Sequence, residues 1–174
     1  MLRNLKQKLE QKLENRKIIL EPKLEIYEDT IRDLTAFKEN FNPKSDIIYY
    51  PSCGLDVSIS KVFPDSKIIY LDGNKLLIDI LKKEEYEAHE GLSQEFDLKE
   101  KADILILINP MNNTLKTLDN LKEGGFVVCD DYHGTASSLK NIENFKLSGI
   151  TNRRGKIETN NLNESGYLYI FRKQ

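Results

Sequence analysis

Ile47-Ile48-Tyr49-Tyr50-Pro51-Ser52-Cys53-Gly54-Leu55-Asp56 is the stretch from which the fold of this chain is read. Four β-branched or aromatic residues open it, Pro51, Ser52 and Gly54 break the run, and a segment of helix length, Leu55 to Val62, follows. A strand that passes through a turn of small residues into a helix is the opening unit of a parallel α/β sheet. The pattern recurs downstream. Apolar runs at Ile68 to Leu71, Asp103 to Ile108 and Phe126 to Cys129 alternate with helical segments at Asn74 to Lys82, Met111 to Lys122 and Ala136 to Glu143. Another strand is expected at Tyr86 to Glu90, because a strand and its crossover must fit between Leu81 and Asp103. Gly124 stands where the third helical segment would end, as a helix-terminating glycine does.

Upstream of Asp46 the periodicity is different. Leu2, Leu5, Leu9 and Leu13, then Leu24, Tyr27, Ile31, Leu34, Phe37 and Phe41, recur every three to four residues, which predicts two amphipathic helices broken near Pro22. Residues 1–45 are thus expected to be N-terminal helices packed on or extending the core, and 46–174 the α/β domain, the whole folding as one unit. The stretch from Leu2 to Leu13 offers a surface for homodimerisation. At the other end, Phe145 to Ile150 and Tyr167 to Phe171 flank a polar span containing Arg153, Arg154, Gly155 and Asn160 to Asn163, the pattern of an antiparallel hairpin with a long loop.

Composition narrows the function classes. The 174 residues suit one domain, and 39% hydrophobic content supports a buried core. With 26 Lys and Arg against 28 Asp and Glu, the net charge of -2 gives no electrostatic reason to expect nucleic acid. No apolar run approaches the ~20 residues that span a bilayer, so the expectation is a cytoplasmic protein without membrane contact. Cys53 and Cys129 lie near the ends of apolar runs and are read as reduced thiols.

In an open parallel sheet, ligands lie beyond the carboxyl ends of the strands, so the residues just after each strand carry the chemistry. They are small and polar here: Pro51 to Asp56 after the first, Asp72-Gly73-Asn74 after the second, Glu90, Gly91 and Ser93 after the third, Asn109-Pro110 after the fourth, Asp130-Asp131-Tyr132-His133 after the fifth. Gly54 allows backbone to come close to a ligand, but the loop lacks the G-x-G-x-x-G spacing of dinucleotide sites. A nicotinamide-dependent oxidoreductase therefore ranks last among the readings. Asp72 could accept both hydroxyls of a ribose or cap the helix that follows. Asp130 and Asp131 could cap the next turn. His133 and Tyr132 could act as general acid or base.

Ile48-Tyr49-Tyr50-Pro51-Ser52-Cys53-Gly54 resembles the V-L-D-L-G-C-G motif of class I S-adenosylmethionine-dependent methyltransferases, and Leu121-Lys122-Glu123-Gly124-Gly125-Phe126-Val127-Val128 resembles their L-K-P-G-G turn and fifth strand. The similarity spans about Asp46 to Val128. It implies a Rossmann-like doubly wound sheet of seven strands in the order 3-2-1-4-5-7-6, with strand 7 antiparallel. It also implies S-adenosylmethionine as cofactor, a small-molecule or other methyl acceptor, and cofactor contacts at Tyr50, Ser52, Gly54, Asp72, Gly73 and Glu90. The Asp130-Asp131 pair is similar to that of metal-dependent O-methyltransferases, which implies Mg²⁺ on Asp130, Asp131 and Asn109, whose carboxylate and amide oxygens suit a hard cation; Asn109, Asp131 and His133 are the expected catalytic residues. Tyr50 stands in place of the motif's acid, Ser52 in place of its first glycine and Asp56 in place of a later one. These departures motivate an alternative, a non-catalytic binding module on the same fold, for which Tyr50 or Leu55 filling the cofactor space would argue.

Overall fold

The Ile47–Pro51 segment is buried along its whole length, as a strand at the centre of a sheet covered on both faces must be. The computed structural model describes residues 22–110, 115–152, 154–160 and 167–174. Strands β1 (Ile47–Pro51), β2 (Lys67–Asp72), β3 (Ala88–Glu90), β4 (Ala102–Leu107), β5 (Leu121–Cys129), β6 (Phe145–Thr151), β7 (Ile157–Glu158) and β8 (Tyr169–Lys173) form one sheet, ordered β3-β2-β1-β4-β5-β8-β6-β7. The first five are parallel to one another, and β8 runs antiparallel between β5 and β6. The expected order is therefore present, with the expected strand 7 appearing as β8. The additional edge strand is the two-residue β7, folded from the polar span between β6 and β8.

Alternation along the strands feeds two apolar layers. Ile48, Tyr50, Ile104 and Ile106 face α1 (Glu28–Phe41), α2 (Ser58–Val62) and α3 (Lys75–Lys83), with Leu34, Phe37, Ile59, Ile78 and Leu81 completing that layer. On the opposite face, Tyr49, Leu105, Leu107 and Val127 pack with Leu118, and with Ala136 and Leu139 of α4 (Thr135–Leu139). Phe37 anchors α1 on the sheet, its ring 5.5 Å from that of Phe126 and 6.5 Å from that of Phe63. Acidic Glu28 and Asp29 suit the positive end of α1, and Asn42, with φ 40, ends it just before Pro43.

Two expectations are corrected. Leu24 to Tyr27 do not extend α1. The backbone there is drawn into an extended strap across the first strand-to-helix loop: the Glu25 N–H donates to the Leu55 carbonyl at 2.8 Å and the Val57 N–H to the Glu25 carbonyl at 3.0 Å. Nor does a helix run to Lys122 with Gly124 at its end. Leu115–Asn120 is a 3₁₀ turn and β5 begins at Leu121, where the ladder with β4 shifts register between Ala102 and Ile104. Lys122 fixes this irregular start by donating to buried Asp103 at 3.0 Å, whose other oxygen accepts the Ile47 N–H at 3.0 Å. Gly125 is required there, since a Cβ would lie 2.9 Å from the Asp103 and Lys122 carbonyl oxygens. The expected helix at Leu2 to Leu13, the homodimer surface on it, and Met111 lie outside the described residues, as do Arg153 and Asn161 to Asn163. No helix among the described residues is long and apolar enough to cross a membrane.

Candidate cofactor cleft

At the carboxyl end of β1 the chain keeps pairing with β2 for one residue more, the Cys53 N–H donating to the Leu71 carbonyl at 3.2 Å. The next N–H, that of Gly54, turns to the Asp72 carboxylate at 3.0 Å. Ser52 and Gly54 both adopt the left-handed backbone, φ 56 and 58, which reverses the chain over the strand end. A Cβ built on Gly54 meets no atom within 4 Å, so the space beside it is open to the cleft that it lines.

Asp72 stands at the centre of that cleft. Its second carboxylate oxygen accepts the Asn74 N–H at 2.8 Å, and Asn74, rather than Asp72, caps α3 by accepting from the Leu76 N–H at 3.0 Å. A carboxylate has about four lone-pair positions, so two backbone donors leave Asp72 capacity for two ligand hydroxyls. Across the β2–β3 ladder Asp72 is the direct partner of Glu90. Two cavities meet at Asp72. One, of about 400 Å³, runs over Gly54 toward Ile108 and Asn109 and is closed on its outer side by Glu25, Tyr27 and Thr30. The other, of about 490 Å³, runs over Gly73 and Glu90 toward Ser93 and Gln94. Ser52, Asp72 and Asn74 belong to both, which makes them one elongated cleft.

Tyr50 is placed differently from a motif acid. Its side chain is 3% exposed and its hydroxyl donates to Asp56 at 3.0 Å, while Asp56 also accepts the Ser58 N–H at 2.8 Å. Burial, with Asp56 beside it, pushes the Tyr50 phenol well above its ordinary value, so it remains a donor. Tyr50 and Leu55 thus wall the cleft without filling it. The Cys53 thiol is likewise pushed up, mainly by burial and then by Asp72, and is held as a neutral thiol.

The strand ends on the far side meet the cleft only in part. Asn109, with φ 48, lines the first cavity, and its N–H donates to Asp130 at 2.6 Å. The other Asp130 oxygen accepts the Tyr132 N–H at 3.2 Å, and Asp131 accepts the Ser137 N–H and hydroxyl at 2.9 and 2.6 Å. Each of the four carboxylate oxygens therefore accepts a protein donor, one of them from the end of β4 and three at the turn into α4. No group of three or more His, Cys, Asp or Glu able to hold a metal occurs among the described residues. Asp130, Asp131 and Tyr132 line a separate cavity of about 540 Å³, which shares Thr30 and Ile108 with the first. His133 lies at the surface against the edge of the Tyr132 ring, 4.7 Å between centroids, and lines neither cavity that contains Asp72.

The structure thus brings together Tyr50, Ser52, Gly54, Asp72, Gly73, Glu90 and Asn109 and leaves His133 apart. Sequence reading missed Glu25, Tyr27 and Thr30, because Leu24 and Tyr27 fit the helical period of α1. The acidic Glu28-Asp29 pair, a helix-start signal, marks the true boundary.

No protein-family model matches the chain, and no curated protein sequence matches it. Solved structures do match in shape. A candidate caffeoyl-CoA O-methyltransferase from Staphylococcus aureus superposes with a TM-score of 0.61 at 15% identity, covering 99% of this chain and 97% of that one. A TehB-like SAM-dependent methyltransferase from Corynebacterium glutamicum gives 0.60 at 17% identity over 97% of each chain. The N-methyltransferase NodS from Bradyrhizobium japonicum, in complex with S-adenosyl-L-homocysteine, gives 0.55 at 13% identity, covering 82% and 85%. The chain spans only 49% and 33% of the length of two longer matches, an amino pentose methyltransferase from Micromonospora echinaspora and coclaurine N-methyltransferase.

Proposed function

The chain has the Rossmann-like fold of the class I S-adenosylmethionine-dependent methyltransferases, and on that premise we propose that it binds S-adenosylmethionine across the ends of β1, β2 and β3 and methylates a small-molecule acceptor. The observation that carries this reading is the cleft itself. An acidic side chain with unused acceptor capacity sits midway along it, flanked by two cavities of about 400 and 490 Å³, within the ~300–1,000 Å³ of small-molecule sites. When bound, S-adenosylmethionine would supply a methyl group on a sulfonium: an acceptor oxygen or nitrogen lone pair forms the new bond as the S–C bond breaks with its electron pair kept on sulfur, leaving S-adenosylhomocysteine and releasing the acceptor's proton to solvent.

The chain's residues divide the work. Asp72 accepts the two ribose hydroxyls. Gly73, Glu90 and the Ser93-Gln94 backbone and side chains bound the base end. Gly54, which projects no side chain, lets the amino-acid end lie against the loop after β1, with Ser52 at the junction of the two cavities. Asn109, whose backbone is fixed by Asp130, stands at the mouth toward the neighbouring cavity of Tyr132 and Tyr167, where the acceptor enters. Such a site acts by positioning the reactants and excluding water.

Calorimetric titration with S-adenosylmethionine and S-adenosylhomocysteine tests this. Saturable binding that is lost in Asp72→Ala, with the variant shown to be folded, supports the proposal. No heat with either ligand at the wild-type protein rejects it in favour of a binding module on the same fold.

A further inference from the structure

Among the described residues, the cavity that takes the amino-acid end of the cofactor in this reading is lined by three carboxylates and by no lysine, arginine or histidine. Two of the three have other duties. Asp72 accepts the Gly54 and Asn74 N–H groups, and its remaining lone pairs are those assigned above to the ribose hydroxyls; Asp56, buried at 6% exposure, accepts the Tyr50 hydroxyl and the Ser58 N–H. The third, Glu25, accepts from the Tyr27 hydroxyl on one oxygen, and no described donor occupies the other. Its place is not accidental, because the strap holds it there by a backbone ladder. Glu25 and Asp56 pair in parallel, the Glu25 N–H and carbonyl bond Leu55 and Val57, and the Tyr27 N–H donates to the Ser58 hydroxyl at 2.8 Å. Tyr50, in the strand below, offers no charge to this space.

An amino-acid group brings an α-ammonium into the cleft. Placing a cation in a partly enclosed site is costly unless a carboxylate receives it, and charge-assisted hydrogen bonds are the strong ones. We propose that Glu25, carried in on the N-terminal strap, is the carboxylate that receives the α-ammonium of the cofactor. This rests on the cofactor reading above. Tyr27 acts as a positioning residue, its hydroxyl orienting Glu25 from the outer side of the cleft.

The test compares S-adenosylhomocysteine, which carries the amino-acid group, with 5′-methylthioadenosine, which keeps the nucleoside and thioether but lacks it. Both are titrated calorimetrically into the wild type and Glu25→Gln at concentrations that saturate the wild type. Loss of one charge-assisted bond should weaken S-adenosylhomocysteine about 10- to 100-fold and leave 5′-methylthioadenosine unchanged, while the ligand-free unfolding midpoint falls only slightly, because Gln keeps an acceptor for the Tyr27 hydroxyl. Tyr27→Phe should show a smaller loss confined to S-adenosylhomocysteine. Unaltered S-adenosylhomocysteine affinity in Glu25→Gln overturns the proposal, as does an equal loss for both ligands, which would mean that Glu25 only holds the loop. Failure of the wild type to bind either ligand would instead reject the cofactor reading, and this inference with it.

Discussion

At Asp72 one carboxylate both faces the cleft and holds its floor, through the Gly54 and Asn74 N–H groups. Asp72→Ala should therefore cost stability as well as affinity, by about 1 kcal/mol, chiefly at the part-buried Gly54 N–H, since the exposed Asn74 N–H can turn to water; urea unfolding measures it. Asp72→Asn keeps an acceptor oxygen and should lose ligand affinity with a smaller stability cost. The pair of variants separates the two duties. Ser52 presents a different balance. Its φ of 56 is one that a glycine adopts freely, and the strain on a side-chain-bearing residue is roughly 1–2 kcal/mol. Ser52→Gly relieves that strain but enlarges the freedom of the unfolded chain, which offsets about 0.4–1 kcal/mol. The expected outcome in urea unfolding is a gain between zero and about 1.6 kcal/mol, and no loss. The absent first glycine of the motif is thus accommodated by backbone that takes the glycine conformation regardless.

At the scale of elements, the strap and the start of β5 are the two places where local pattern misleads, and both do so because tertiary hydrogen bonds override periodicity. Leu24 and Tyr27 fall in phase with α1, yet the free edge of the loop at Leu55 to Val57 captures the Glu25 backbone. Tyr27 reports on that capture. The hydrogen bond to Glu25, then burial, push its phenol up to about 12 from 10.0. The sign follows directly. The bond favours the protonated phenol, so its contribution is complete below pH 10 and is lost as pH rises through about 12. Subtracting the ultraviolet titration of Tyr27→Phe from that of the wild type isolates this phenol, and Glu25→Gln should move its midpoint back toward 10.0. In β5 the glycines read as a helix end are the bulge that lets Lys122 reach Asp103. Gly125→Ala would press a methyl against two carbonyl oxygens at 2.9 Å, a close contact expected to destabilise by about 1–3 kcal/mol in chemical denaturation.

Over the whole molecule, what the sequence made legible was the sheet and the row of residues at its carboxyl edge. The strands at Ile47, Ile68, Asp103 and Phe126 are continuous apolar runs that only a doubly covered sheet can bury, so their type follows from composition, while their order was legible only through the family resemblance. Gly54, Asp72 and Glu90 were legible for the same reason, since being next to a strand end fixes their position whatever the loops do. The outer wall of the cleft was not legible, because Glu25, Tyr27 and Thr30 reach it through a contact some thirty residues distant in sequence, which no local period encodes. The acid pair after β5 was legible as a pair but not in its use, because the same oxygens can bind a cation or cap a turn, and their partners are set by how the chain enters α4. This division has a thermodynamic consequence. The proposed ligand would touch β1, β2, β3 and the strap together, so its binding is linked to the unfolding of the whole sheet and not to one loop. At a concentration of S-adenosylhomocysteine ~100 times its dissociation constant, linkage should add about 2.7 kcal/mol. For a chain of this size each kcal/mol raises the melting temperature by roughly 2–4 °C, so the midpoint should rise by roughly 5–11 °C as one cooperative transition. A rise confined to a minor early transition would place binding on a locally folded part and argue against a ligand that spans the strand ends.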